Sequence, residues 1–158
     1  MLLARRIWNW CRRFRYRCGY GVHSPSDFFL ITSVIYEGLP YYAYDRLKAS
    51  SGLKSLPHYR EKVNRLLFRL VNYFRPVSLI EVGEGNGDSF RYMREARLSM
   101  KAVSLKGEDQ AETLRQLKVE LEKVEKLDFL HIAYTTYDKD IFEMAYPYLH
   151  PQSCVVIG

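Results

Sequence analysis

The sequence has few cysteines, no long apolar run, and neither lysine nor acidic residues in its first 26 positions. Its three cysteines (Cys11, Cys18 and Cys154) form no C-x-x-C pair, which argues against a zinc ribbon or a disulfide scaffold. No apolar run approaches the ~20 residues that a membrane span needs, and arginines interrupt the N-terminus too early for a secretory signal. These absences predict a reduced, cytoplasmic globular protein.

The excess of positive charge lies at the N-terminus of the chain. Six arginines precede the first acidic residue, Asp27: Arg5, Arg6, Arg12, Arg13, Arg15 and Arg17. The other 18 basic residues equal the 18 acidic ones, so the net charge of +6 belongs to this arm. Apolar residues at three- and four-residue spacing predict an amphipathic helix over residues 2–18, with the arginines on its other face.

Three functions are open for this basic helix. It can pack on the domain or dock a protein partner, lie on an anionic membrane at the inner face, or bind the phosphates of nucleic acid. The exclusive use of arginine favours a specific anionic partner, because a guanidinium group pairs with phosphate through two parallel hydrogen bonds. Trp8 and Tyr16 lie among the arginines, an interleaving that suits base stacking.

The rest of the chain predicts an α/β fold with a mostly parallel sheet of about four strands. A helix begins at Ser24 and ends before Gly38, and an irregular connector over 41–57 leads to a helix over 58–74. Strands at 78–82, 101–105, 127–133 and 153–157 alternate with helices at 88–96, 110–126 and 139–148. This alternation predicts a reduced Rossmann-like sheet. The predicted parts are a basic helix (1–20), a helical segment (21–76) and a Rossmann-like domain (77–158).

The most informative stretch is 79–88, where an apolar strand ends in a carboxylate and three alternating glycines follow. Glu81 precedes Gly83, Gly85 and Gly87, and a helix-like segment comes next. Glycine lets the main chain take unusual dihedral angles and lie against a ligand without an intervening side chain. The G-x-G-x-G spacing differs from the G-x-G-x-x-G fingerprint of dinucleotide-binding folds. The alternative interpretation is a strand-to-helix turn that holds no ligand.

This acid-x-G-x-G-x-G stretch resembles motif I of the class I, Rossmann-like S-adenosylmethionine-dependent methyltransferases. In that family the glycine turn packs under the amino-acid part of the cofactor, and the acid helps to bind its ammonium group. The resemblance implies S-adenosylmethionine as the cofactor and names no catalytic residue. The cofactor-binding residues that it implies are Glu81, Gly83, Glu84, Gly85, Asn86, Gly87 and, after the second strand, Glu108.

A second resemblance covers most of the chain. The segment Gly-Val-His-Ser-Pro at 21–25, followed by Asp-Phe-Phe at 27–29 and Leu-Pro-Tyr-Tyr at 39–42, is similar to a bacterial group of small methyltransferase-like proteins. In that group an arginine-rich helix and a His-Ser-Pro-Phe segment precede the Rossmann domain. Ser26 stands here where phenylalanine is usual.

Four features depart from the family pattern. Lys106 stands where the second strand should end in an acid that holds the ribose hydroxyls, which leaves Glu108 as the nearest substitute. One strand–helix unit is absent before residue 127, and Ala133 replaces the family's acid at the tip of the third strand. The sequence reaches Gly158 directly after an apolar strand, where the family continues with a helix and two antiparallel strands. This departure predicts an open sheet edge.

Two functions therefore stay open. The first is an S-adenosylmethionine-dependent methyltransferase-like protein of unknown acceptor. Methyl transfer requires the acceptor to lie in line with the methyl group more than it requires acid–base catalysis. Tyr134, Tyr137 and Asp138 follow the third strand and can place that acceptor. The second is a catalytically inactive protein of the same fold. It would bind partners through the basic helix or the open edge, which also allows a homo-oligomer. The four scattered histidines (His23, His58, His131 and His150) predict no metal site.

Overall fold

The computed structural model describes Arg5 and residues 7–11, 19–50, 58–83, 87–107 and 109–158. The chain separates into two compact units, Met1–Pro40 and Tyr41–Gly158. Arg5 and residues 7–11 are helical, and five of the six N-terminal arginines lie outside the described residues: Arg6, Arg12, Arg13, Arg15 and Arg17. Within the described ranges, no helix is long and apolar enough to cross a membrane.

The first unit contains the helix whose start the sequence predicted. Helix α1 (Pro25–Leu30) begins after Ser24, whose hydroxyl oxygen accepts a hydrogen bond of 3.4 Å from the Asp27 amide. This contact satisfies one of the amide groups that a helix start leaves without a partner. A π-helical turn (Ile31–Ile35) continues the helix, so the apolar face predicted here is helical as far as residue 35.

The second unit is built on a four-stranded parallel sheet, which confirms the predicted fold class. Its order is β2-β1-β3-β4, formed by β1 (Ser78–Gly83), β2 (Lys101–Leu105), β3 (Leu127–Ala133) and β4 (Leu149–Ile157). The chain leaves β1 for β2 on one side, and β3 and β4 lie on the other. The carboxyl ends of β1 and β3 therefore border a topological switch point, the place where α/β sheets bind their ligands.

Among the described residues, five α-helices accompany this sheet: α2 (Tyr42–Ser50), α3 (His58–Phe74), α4 (Asp88–Ala96), α5 (Gln110–Glu122) and α6 (Asp138–Ala145). Ile80, Val82, Leu130 and Ile132 pack with α5 and α6 in one buried cluster. Successive strand side chains alternate between faces, so Glu81 and its neighbours in register point to the other face. Helix α4 lies there, because its Ser89 hydroxyl bonds Glu81.

The sequence analysis missed one helix and misplaced the start of one strand. Part of the predicted irregular connector is helix α2, whose Tyr44 and Leu47 are buried against Phe68 and Tyr92. Strand β4 begins at Leu149 rather than at 153. Leu149 already pairs with Leu127 of β3, and a register shift separates this pair from the regular pairing that resumes at Cys154. A bulge of this kind adds residues to one strand without ending the pairing, and local sequence does not reveal it.

The amino ends of three strands are joined through Asp128. Its Oδ2 atom accepts hydrogen bonds from the amides of Val77 and Ser78, at 2.6 and 3.0 Å, and its Oδ1 atom lies 2.9 Å from His150 Nε2. The Gln152 amide donates to His150 Nδ1, so Nε2 carries the proton that is donated to Asp128 when the ring is neutral. Partial burial by itself would raise the pKa of Asp128, but these hydrogen bonds outweigh it and lower the pKa.

Replacing Asp128 with asparagine is expected to lower the free energy of unfolding at neutral pH by about 1 to 2 kcal/mol, since charged acceptors form the stronger hydrogen bonds. Because the folded-state pKa is lowered, this stabilisation is complete above the ordinary aspartate pKa of ~3.9 and is lost as the pH falls through the folded-state value. Urea unfolding at a series of acidic pH values measures the effect. Wild-type stability should fall more steeply with acid than that of the variant, and equal slopes would contradict the assignment.

Candidate functional site

The glycine turn lies at the carboxyl end of β1, as the sequence predicted. Gly83 ends the strand with φ of 140°, and Gly87 caps helix α4 with φ of 84°. Both values lie in the region of φ that favours glycine. Glu84, Gly85, Asn86 and, beyond β2, Glu108 lie outside the described residues. The described part of the predicted site therefore consists of Glu81, Gly83 and Gly87.

Gly83 is packed against the backbone of the neighbouring strand. A Cβ atom at Gly83 would lie 2.8 Å from the carbonyl carbon of Ala133, closer still to its oxygen, and 3.0 Å from Thr135 Cγ2. The close approach that requires glycine here is thus the approach of β3. At Gly87, by contrast, the one atom of the described residues that a Cβ atom would approach within 4 Å is Lys106 Nζ, at 3.4 Å. Of these two glycines, Gly87 is therefore the less tightly packed against the described part of the chain.

Glu81 is the centre of a buried polar row that crosses three strands. In the parallel register it pairs with Ser104 of β2 on one side and His131 of β3 on the other. Its Oε1 atom accepts a hydrogen bond of 3.2 Å from Ser104 Oγ. Its Oε2 atom accepts one of 2.7 Å from Ser89 Oγ of α4, and His131 Nδ1 lies 2.7 Å from the same oxygen.

This arrangement suits an ionised carboxylate. The Glu81 side chain is 1% exposed, so the three hydrogen bonds take the place of water. An ionised carboxylate only accepts hydrogen bonds, and all three neighbours can donate. The carboxylate therefore holds the ends of β1, β2, β3 and the first turn of α4 together directly beneath the glycine turn.

His131 is the functional candidate that the sequence did not reveal. In the sequence it is one of four scattered histidines, 50 residues from Glu81, and no local motif marks it. The signal that points to it is the strand alternation: Phe129 and His131 share a face of β3, and Glu81 lies on the same face of β1. Using that signal requires knowing the order of the strands and their register.

The turn after β2 approaches the glycine turn. Lys106 Nζ lies beside Gly87, where the resemblance would place a ribose-binding acid after the strand. Gly107 is tightly packed, since a Cβ atom there would collide with Thr113 of α5. Asp109 caps α5 by accepting a hydrogen bond of 2.8 Å from the Glu112 amide. The described residues of this turn therefore carry one positive side chain, Lys106, beside the glycine turn and one carboxylate, Asp109, at the start of α5.

The loop after β3 contains the residues predicted to place an acceptor. Tyr134 is 83% exposed at the end of the strand. The Tyr137 hydroxyl donates to Thr113 Oγ1 at 3.3 Å, and Asp138 Oδ1 accepts from the Lys139 amide at 2.9 Å. Tyr137 and Asp138 thus have structural partners. Of the three, Tyr134 and Asp138 are exposed and Tyr137 is half-buried.

Cys154 is no nucleophile in this arrangement. It pairs in register with Phe129 and is half-buried in β4. Burial raises the pKa of its thiol to about 11, so the thiol stays protonated at neutral pH. Among the described residues, no group of three or more His, Cys, Asp or Glu side chains is placed to hold a metal ion.

The solved structures that are similar to this chain include two methyltransferases. No protein-family model and no curated protein matches the sequence. The chain is similar to a methyltransferase from Geobacter sulfurreducens at 15% identity and a TM-score of 0.49, over 75% of this chain and 71% of that one. It is also similar to the mitomycin 7-O-methyltransferase MmcR at 15% identity and a TM-score of 0.35, over 82% of this chain and 44% of that one. Similarity at this level supports no statement about function, so the fold class rests on the sheet itself.

Proposed function

We propose that this protein binds S-adenosylmethionine at the carboxyl edge of its sheet and acts as a methyltransferase-like protein. The observation that carries the proposal is the glycine turn, which leaves β1 at the switch point of the parallel sheet and ends at the capped start of α4. In α/β folds this is where nucleotide-containing ligands bind. The proposed lining residues are Glu84, Gly85, Asn86, Gly87 and Glu108, together with the backbone of Gly83.

The described residues fit such a ligand in part. The space beside Gly87 suits a main chain that approaches a ligand closely. Glu81 is 1% exposed and bonded to three donors, so it acts on the site through Ser89 and His131 rather than by direct contact. Lys106 offers a positive charge where an acid is usual, so the ribose hydroxyls depend on Glu108 or on backbone groups. When bound, the cofactor would supply an electrophilic methyl group.

Calorimetric titration with S-adenosylhomocysteine tests this function. We expect heat of binding with ligand at about 1 mM. This concentration half-saturates a site whose binding free energy is as weak as about −4 kcal/mol. We also expect Gly85→Ala to weaken the binding, whereas Gly38→Ala should bind as the wild type does, since a Cβ atom at Gly38 would meet no atom of the described residues within 4 Å. A wild-type protein that folds and gives no heat would rule out the proposal.

A second function, binding to an anionic membrane surface, is favoured by the N-terminal helix. Ile7, Trp8 and Trp10 are each more than half exposed, at 56, 67 and 57%. Indole rings suit the boundary between lipid headgroups and acyl chains, and arginines are attracted to anionic headgroups. The net charge of +6 lies entirely on this arm. The exposed aromatic side chains and the charge of this arm support partner binding through the basic helix as an additional function of the same chain.

Vesicle co-sedimentation tests the membrane function. Deleting residues 1–18 should abolish binding to phosphatidylglycerol vesicles, and phosphatidylcholine vesicles should not bind. Replacing both Arg5 and Arg6 with glutamine should weaken binding by roughly 30-fold, at ~1 kcal/mol for each arginine. Trp8→Ala should also weaken it, whereas Tyr42→Ala, at an aromatic residue 96% exposed in the second unit, should not. Binding to single-stranded RNA in place of vesicles would contradict the membrane assignment.

A further inference from the structure

Strand β2 forms one edge of the sheet, and the direction of its hydrogen-bonding groups can be derived. Among the described strands, it has β1 as its one neighbour. The Lys101 amide donates a hydrogen bond of 2.9 Å to the Val77 carbonyl oxygen, so the main-chain groups of Lys101 point toward β1. Successive residues of a strand alternate in this direction, so the main-chain groups of Ala102 and Ser104 point away from β1. The edge thus presents two amides and two carbonyls, placed symmetrically about Val103.

A groove of about 370 Å³ lies beside this edge. Leu105 lines it from β2, and Val119, which is 47% exposed, lines it from helix α5. Leu105 and Val103 belong to the face of the sheet that α5 covers, and the alternation of side chains puts Lys101 on the same face. A strand added to β2 would therefore carry side chains of its own into the groove.

The charged side chains of the groove all come from α5: Glu112, Arg115 and Glu120. Glu120 forms an ion pair with Lys123, at 2.5 Å, whereas the Glu112 carboxylate accepts a hydrogen bond of 2.8 Å from the neutral amide of Gln116. Glu112 lies in the first turn of α5, and that helix begins five residues after Leu105. The Glu112 carboxylate is therefore at the Leu105 end of the groove.

We propose that the β2 edge binds a second copy of this chain through antiparallel pairing of the two β2 strands, with a two-fold axis at Val103. In this register Ala102 lies opposite Ser104 of the partner subunit, and the two residues exchange both of their hydrogen bonds. Four hydrogen bonds then use every outward group of Ala102 and Ser104 in both copies. An axis at Ala102 or at Ser104 would pair that residue with its own copy alone and form two.

The side chains that meet in this register are complementary. Lys101 lies opposite Leu105 of the partner subunit, on the face that α5 covers, and therefore beside the partner's Glu112. Lysines at a strand edge usually discourage pairing, but here each lysine meets an apolar side chain and a carboxylate instead of another lysine. The two copies of Val103 face each other, and Val119 lies in the groove that the pairing fills. Because the edge is complementary to itself, a second copy fits it better than an unrelated strand does.

Sedimentation equilibrium of the full chain tests the association. One pair of five-residue strands and a groove make a small interface, so we expect a dissociation constant of roughly 50 µM. Between about 5 and about 500 µM, the average mass should rise reversibly from one chain toward two. A monomer at every concentration, or growth beyond two chains, would overturn the proposal.

A proline on the outward side of the strand tests the hydrogen bonds. Ala102→Pro removes an amide that points away from β1, so it should keep the sheet intact, as circular dichroism can verify. Each dimer loses two of its four hydrogen bonds, and dimerisation should weaken at least about 10-fold. A folded Ala102→Pro variant that dimerises as the wild type does would overturn the proposal.

A charge reversal tests the ion pair without changing the main chain. Lys101→Glu places a carboxylate beside the partner's Glu112 in both halves of the dimer, and dimerisation should weaken about 10-fold. The double variant Lys101→Glu/Glu112→Lys should regain most of the loss. Lys139→Glu makes the same change at an 81% exposed lysine of α6 and should have no effect. Equal dimerisation of Lys101→Glu and Lys139→Glu would overturn the proposal.

Disulfide trapping tests the register. Opposite residues of a non-hydrogen-bonded antiparallel pair have Cα atoms about 4.5 Å apart, within the range that a disulfide spans. Val103→Cys, oxidised with oxidised glutathione at a concentration where the wild type dimerises, should therefore link two chains through position 103. Mass spectrometry of the linked peptide identifies the bond, and Lys139→Cys is the control that should form no such link. A dimer that cannot be linked through position 103 would overturn the proposed pairing.

Discussion

Replacing Gly83 with alanine is expected to lower the free energy of unfolding by at least about 3 kcal/mol, the sum of backbone strain and overpacking. The methyl group would collide with the carbonyl group of Ala133, which belongs to the paired strand and cannot rotate away. In addition, φ of 140° is unfavourable for any residue with a side chain. Relief requires β1 and β3 to move apart, which breaks the hydrogen bonds at the centre of the sheet. Chemical unfolding monitored by circular dichroism measures the loss.

Two other glycines separate the causes of that loss. Gly87→Ala retains the positive φ but meets only the flexible end of Lys106, so it should cost about 1 kcal/mol. Gly38→Ala has neither problem and should stay within ~0.5 kcal/mol of the wild type. Equal losses at Gly83 and Gly87 would show that φ, rather than the contact with β3, decides the requirement for glycine.

Replacing Glu81 with leucine is expected to cost about 3 to 5 kcal/mol, the range for removing one member of a buried polar pair. The volume is nearly unchanged, but Ser89, Ser104 and His131 lose the acceptor that they share, and His131 loses it at a buried position. Glu81→Gln retains an acceptor oxygen and should lose less. The measurement is again the free energy of unfolding in urea.

A surface glutamate provides the control for that variant. Glu143 forms an ion pair of 3.6 Å with Lys139, and both side chains are exposed, at 63 and 81%. Exposed pairs of this kind contribute little, so Glu143→Gln should change stability by less than ~0.5 kcal/mol. If Glu81→Leu were as stable as Glu143→Gln, the polar row would have no part in holding the strand ends together.

The elements of the fold were predictable where local sequence determines them. The helices at 58–74 and 88–96 and the strands at 101–105 and 127–133 have the bounds that periodicity and breakers predicted. Helix α2 was missed because its apolar spacing is short and its burial depends on Phe68 and Tyr92, which come later in the chain. The start of β4 was missed because a bulge containing Pro151 interrupts its pairing.

The candidate site was predictable only in part, for a related reason. Glu81 and the glycines occur together in the sequence, so a motif can find them. His131 joins them through strand register, and register depends on long-range pairing that no local pattern records. The sequence also could not show why position 83 requires glycine, because the atoms that exclude a side chain there belong to Ala133 of another strand. The predicted sheet edge and domain boundaries stay predictions.

The central claim is that the carboxyl edge of the sheet around the glycine turn is a binding site for an adenosyl cofactor. Amide NMR spectra recorded during titration with S-adenosylhomocysteine test it most directly. The account predicts saturable shifts at Gly83, Gly87 and Lys106, with Val77 and Asp128 at the opposite edge unchanged. Shifts confined to that opposite edge, or none at any ligand concentration, would contradict it.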